Sequence, residues 1–245
     1  MIKIGALLIA MGTGYGGAIT SLKWHNYDFI DRADHGRLLQ SAISFDGKGE
    51  ADNPTEGGCV ITLSEKKQKC SSVIYKSGLT SIAKLGLWDS GKDSGVRLLK
   101  NISADGYNGI SIATSFLIPI EHKTATVEAL TIYTPSVWVV KAIRYDPVAD
   151  KEYPVGNNGE KGLPVIISTT FGAIGMYSSE LPYYVGPDLV GYGLFDLSDE
   201  GTMKLNCVFR HTNIPANSIL SHQCTIFVGG LSDVKEQIRK RYLSK

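Results

Sequence analysis

Short runs of apolar residues alternating with polar ones recur along the whole chain, each closed by turn-forming residues. The runs Ala18–Trp24, Cys59–Ser64, Ser71–Lys76, Gly109–Ile118, Ala125–Thr134, Ser136–Tyr145, Pro164–Thr169, Gly172–Tyr177, Lys204–His211 and His222–Val228 all predict strands. Asp46-Gly47, Asp105-Gly106, Asn108-Gly109 and Asn158-Gly159, with prolines at 135, 147, 154, 182 and 187, cut the chain into short pieces. From Thr124 to Tyr133, β-branched residues and alternation coincide. Ala125, Val127 and Ala129 are expected on the core face, and the residues from Leu130 onward change sides. The pattern predicts an all-β fold, a large antiparallel β-sandwich.

Only the C-terminal segment has a helical period. Ser232 is the expected N-cap, Asp233 sits at the positive end of the dipole, and Arg239, Lys240 and Arg241 sit at the negative end. Leu231, Val234, Ile238 and Leu243 form the apolar stripe. The Pro- and Gly-rich stretch from Asp146 to Gly162 reads as an excursion between strands. A length of 245 residues is ordinary for one large β-sandwich, so residues 1–245 are expected to form a single domain.

Charge is nearly balanced, with 25 Lys and Arg against 24 Asp and Glu, so there is no global field to gather a nucleic acid. No run approaches the ~20 apolar residues of a membrane helix. Lys3 followed by Ile4–Met11 has the look of a short signal peptide with Gly16-Gly17-Ala18 as its exit. A first strand before a Gly-rich turn explains it equally well and is favoured, because the pattern resumes at once with Ala18–Trp24. The four cysteines fall as two pairs, Cys59/Cys70 and Cys207/Cys224, each bracketing a turn-like stretch as across a hairpin. Closed disulfides would lean towards a secreted or periplasmic protein; the other reading is four buried thiols.

The densest polar cluster is Asp31-Arg32-Ala33-Asp34-His35-Gly36-Arg37-Leu38-Leu39-Gln40-Ser41, followed by Asn53-Pro54-Thr55-Glu56-Gly57-Gly58. Carboxylates beside a histidine suit divided acid and base work, with arginine and amides holding hydroxyls by directional bonds. In this reading Asp34 or Glu56 is base or nucleophile, His35 is acid, and Arg37, Gln40 and Asn53 bind substrate. Tyr107 and Trp138 are taken from an aromatic complement suited to stacking on sugar rings. The alternative is a structural loop in which Asp34 and Arg37 pair and Asn53–Glu56 satisfies its own backbone. No metal-ligand spacing occurs, and the histidines at 25, 122, 211 and 222 are scattered. Gly12-Thr13-Gly14-Tyr15-Gly16-Gly17 lacks the Lys-Ser/Thr of a phosphate loop, and no Gly-x-Ser-x-Gly elbow is present. Neither cofactor nor metal is expected.

Gly16-Gly17-Ala18-Ile19-Thr20-Ser21-Leu22-Lys23-Trp24 with Phe29-Ile30-Asp31 resembles the first strands of galactose-mutarotase-like supersandwich proteins. The Asp34-His35-Gly36-Arg37-Leu38-Leu39-Gln40-Ser41-Ala42 and Asn53-Pro54-Thr55-Glu56 stretches are similar to a group of bacterial and fungal proteins sharing that signature. The resemblance extends through Glu121–Glu128 and Cys207–Arg210 to the final helix. It implies a supersandwich that binds sugars on the concave face of its larger sheet, as glycoside hydrolases, polysaccharide lyases and epimerases do, with Arg37 in a place like their substrate-binding arginine. The mutarotase His-Gly-Gly stretch has no counterpart, so the resemblance carries the fold further than it carries epimerase chemistry. A carbohydrate-active protein, binding or processing a glycan, is therefore expected. A non-catalytic glycan-binding or adhesion module and a structural assembly protein pairing through sheet edges are the alternatives.

Overall fold

The computed structural model describes residues 1–33, 36–59, 72–74, 79–106, 108–154, 158–182 and 191–244. Ile2–Ile4 (β1), Leu7–Met11 (β2), Ile19–Trp24 (β3) and Tyr27–Asp28 (β4) pair antiparallel in that order as a small sheet. The expected first strand is split because Gly5 takes a left-handed conformation (φ 57°) that turns the chain between β1 and β2.

A 15-stranded sheet comprises Gln40–Phe45 (β5), Pro54–Thr55 (β6), Ser72–Ile74 (β7), Thr80–Leu87 (β8), Asp93–Ala104 (β9), Gly109–Ile118 (β10), His122–Pro135 (β11), Val139–Asp146 (β12), Lys151–Pro154 (β13), Gly159–Lys161 (β14), Val165–Thr169 (β15), Gly172–Tyr177 (β16), Tyr192–Leu197 (β17), Thr202–Ile214 (β18) and Ser218–Gly229 (β19). Its order is β13-β12-β15-β16-β19-β10-β9-β8-β6-β5-β11-β18-β17-β14, with β7 on β8. Two-residue β6 joins a back half (β13 to β8) to a front half (β5 to β14). The halves face one another. Consecutive β18 and β19 are not hydrogen-bonded neighbours, yet His211 of the front half meets His222 of the back half at 2.9 Å. Asn213 and Asn217, both with positive φ, make the intervening turn, a conformation asparagine tolerates.

Alternation fills the space between the halves. Ala125, Val127, Leu130 and Ile132 of β11, Leu205 and Cys207 of β18, Ile112 and Phe116 of β10, and Cys224, Ile226 and Val228 of β19 are buried in one apolar cluster, joined by Leu7, Ile9, Ile19 and Leu22 of the small sheet. The inward set on β11 changes from odd to even numbers at a bulge between Glu128 and Leu130, where the sequence pattern changes sides. Consequently Glu128, Thr131 and Tyr133 all face outwards from the front half.

Helix α1, Leu231–Leu243, packs Val234 and Ile238 against Ile166, Ala173 and Phe227 on the outside of the back half. Its N-cap is Gly230 and not Ser232, because the Asp233 carboxylate reaches back to the Gly230 amide at 3.2 Å. Leu243 is exposed, and Tyr242 packs in its stead.

Cys207 and Cys224 are free and buried. Their strands lie in opposite halves and not in one hairpin, but the two thiols meet across the core in a hydrogen bond, with no disulfide joining them. Cys59 ends a short 3-10 turn, Gly57–Cys59, while its expected partner Cys70 and the rest of the strand expected over 59–64 fall outside the described residues, as do Asp34, His35 and Tyr107. No helix is long and apolar enough to cross a membrane among the described residues.

Candidate functional site

The outward positions of four neighbouring front strands carry a polar cluster. Register places Tyr133 opposite Lys204, Thr131 opposite both Asn206 and Gln40, and Lys204 opposite Phe195. Lys204 Nζ lies 3.2 Å from Glu128 Oε1, and Thr131 Oγ1 donates to Glu128 Oε2 at 2.6 Å. The Lys204 ammonium also lies 5.7 Å from the Tyr133 ring centre and 5.5 Å from that of Phe195, within cation–π range. Asn206 bonds to Glu128 through its side chain, which lies over Gly193; a Cβ on Gly193 would overlap Asn206 Oδ1. That oxygen is buried and has no protein partner.

Protonation follows from this arrangement. Burial raises the Glu128 carboxyl, but the Lys204 charge and hydrogen bonds from Thr131, Lys204 and Asn206 outweigh it and hold the pKa below the usual glutamate range. Burial lowers Lys204, but Glu128, Tyr133 and Glu50 reverse the shift and keep it a cation. The Tyr133 phenol is pushed up, chiefly by burial, so it keeps its proton. The face therefore offers a fixed carboxylate, an ammonium, a phenol donor and an unpartnered amide acceptor.

Of the residues expected from sequence, Arg37 reaches this region. The Asp31 amide donates to Tyr133 O, and Arg37 bonds Glu200 O at 2.6 Å and Glu200 Oε2 at 3.1 Å, with Asp31 Oδ2 at 3.5 Å. The Asp31–Arg37–Glu200 group thus forms a rim beside β17 and β18. The Asp34–Arg37 pairing considered from sequence lies outside the described residues.

Gln40 faces the cluster but is committed to the backbone. It donates to Gly36 O and accepts from the Gly57 amide at 2.7 Å, and it is buried. This fixes the loop after Gly36, whose missing Cβ admits the Trp88 ring. Its role is therefore structural, not the expected substrate contact. Asn53 is half-buried, and its Oδ1 has no protein partner.

Glu56 lies away from the sheet face. It is fully buried between the halves, where Oε2 accepts from the Ser41 amide at 2.7 Å and from Lys100 Nζ at 2.5 Å. Burial raises its pKa against the pull of Lys100. No ligand on the sheet face can meet it, so it is a structural ion pair at the β6 seam and not a base or nucleophile. Trp138 lies beyond the end of β11, in the turn Ser136–Trp138, edge-on to Phe171 at 5.4 Å, with Phe171 stacked on Tyr27 at 4.7 Å. It belongs to an aromatic group separate from the Glu128 cluster.

Sequence reasoning missed Glu128, Lys204, Tyr133 and Asn206. The one available signal was a carboxylate and a tyrosine on the polar face of the Thr124–Tyr133 run. No group of three or more metal-ligating side chains occurs among the described residues. At another edge, Asp46 holds His122 at 2.9 Å and accepts from the amides of Lys123 and Thr124. These bonds, led by that from His122, take its pKa down to about 2 and mark it as a turn anchor.

No protein-family model matches the chain, and no curated protein matches it in sequence. Solved structures do. A galactose mutarotase related enzyme from Lactobacillus acidophilus aligns over 94% of this chain and 96% of its own, at 7% identity and a TM-score of 0.52. A bacterial glucoamylase complexed with acarbose aligns over 99% of this chain at 9% identity and a TM-score of 0.50. A polysaccharide lyase aligns over 97% at 11% identity and a TM-score of 0.49. The likeness is one of fold. The chain is an all-β sandwich resembling the galactose-mutarotase-like architecture, and it spans about a third of the length of the glucoamylase and the lyase.

Proposed function

We propose that the outer face of the front half binds or processes a glycan, with Glu128, Lys204, Tyr133 and Asn206 meeting ring hydroxyls and Phe195 offering an apolar surface. The observation that carries this reading is the Glu128 carboxylate, kept ionised by Lys204 and Thr131 on a sheet face. The same broad fold in a mutarotase-related enzyme and in a glucoamylase that binds acarbose supports it. In the processing version Glu128 is base or nucleophile and Tyr133 a proton donor, with Arg37 at the rim. Asp34 and His35, in the chain between Asp31 and Arg37, are proposed to complete the acid–base set.

A glycan array read beside assays for reducing ends, unsaturated products and anomeric exchange tests the reading. Glu128→Gln and His35→Ala proteins that stay folded but lose binding or turnover support it; a folded wild-type protein inert to every glycan overturns it.

A second reading rests on Trp138 and Phe171, which are 45% and 49% exposed. Their rings form a stacking surface suited to a non-catalytic binding module. Binding without any product, lost in Trp138→Ala but kept in Glu128→Gln, favours it.

A further inference from the structure

Outside the Glu128 cluster, three side chains from three segments form a continuous chain of hydrogen bonds. Glu180 Oε2 lies 2.8 Å from His222 Nδ1, and His222 Nε2 lies 2.9 Å from His211 Nε2. The carboxylate fixes the His222 proton on Nδ1, so neutral His222 presents a lone pair at Nε2, and His211 must donate from its own Nε2.

The ring centres are 5.0 Å apart, close to the separation of two imidazoles pointing nose to nose, so the two nitrogens share a proton and do not converge on a metal ion. Phe209 stacks on His222 at 3.8 Å and sets its plane. His211 is on β18 of the front half and His222 on β19 of the back half. Glu180 follows β16 and also accepts from the Gln223 amide at 2.8 Å.

The geometry points to a pH-sensitive latch, in which one proton shared between His211 and His222 ties the two halves together and a proton on each Nε2 releases them. With both Nε2 atoms protonated, two N–H groups face each other at hydrogen-bond distance and the bond between the halves is lost. The groups facing the pair are the Glu180 carboxylate, the Thr114 hydroxyl on His222 O, and the thiols of Cys207 and Cys224 on the same inner faces; burial pushes the Cys224 thiol up, so it stays neutral. Burial first, and the His222 charge second, lower the His211 pKa. Its contribution to stability is therefore present at neutral pH and is lost as pH falls below the ordinary histidine value of about 6.5.

Two measurements on the full chain test this. Nitrogen-15 spectra of the imidazoles at neutral pH are expected to show His222 protonated on Nδ1 and His211 on Nε2; His222 protonated on Nε2 overturns the latch. Melting followed from about pH 7.5 to about pH 5 is expected to fall more steeply in the wild type than in His211→Gln, whose amide still donates to His222 but does not titrate. Parallel profiles overturn it.

Discussion

Glu128 and Lys204 form an ion pair 3.2 Å long on the outer face of the front half, with Thr131 donating to the other carboxylate oxygen. The bulge on β11 makes this pair: without the extra residue, Thr131 and Tyr133 would point into the core and Glu128 would stand alone on that face. A carboxylate so held acts as an acceptor, a base or a nucleophile, and not as a proton donor.

The pH dependence of ligand binding follows from that. The folded Glu128 pKa is depressed, so its charge and the contacts that need it persist down through the ordinary glutamate value of about 4.3 and fail only below it. Binding measured by calorimetry from about pH 8 down to about pH 4 should show no loss attributable to this group until the acid end. An early loss that Glu128→Gln abolishes would contradict the depressed value.

Gly193→Ala reports on Asn206. The new methyl must displace the Asn206 side chain from above β17 and with it a bond to Glu128. A cost of about 1–3 kcal/mol in urea unfolding is expected, as for other overpacking changes, together with weakened ligand binding.

The Glu56–Lys100 pair predicts a stability effect and no chemical one. Lys100→Met leaves an unpaired carboxyl in the core and should cost about 3–5 kcal/mol, whereas Lys100→Met with Glu56→Leu should recover most of it. If the double variant folds and yet loses all turnover while keeping ligand binding, Glu56 has a chemical role after all.

Cys207 and Cys224 are predicted to be thiols in the native protein. Both should react with a thiol reagent only after unfolding, without prior reduction. A disulfide recovered between them from the intact, unreduced protein would contradict this.

The sandwich and the terminal helix were legible in the sequence because alternation and capping act over a few residues; even the change of side within Thr124–Tyr133 showed in the pattern. The site was not. Its side chains come from positions 128, 133, 195, 204 and 206, brought together by register between strands distant in the chain. The sequence-local cluster around residues 31–58 instead divides by depth: Arg37 on the rim, Gln40 bound to backbone, Glu56 inside. Likewise His211 and His222 look scattered until the two halves are closed on each other. Proximity in sequence misled most at Glu56, whose polar surroundings hide its place at the seam of the folded sheet.

The most direct test is a titration of the wild type and of Glu128→Gln with the best glycan from the array, folding being checked by melting. Saturable binding by the wild type, reduced at least tenfold in Glu128→Gln, about 1.4 kcal/mol or more, is the predicted result. Equal affinity in the two proteins would show that the glycan sits elsewhere and would contradict the assignment of the front face.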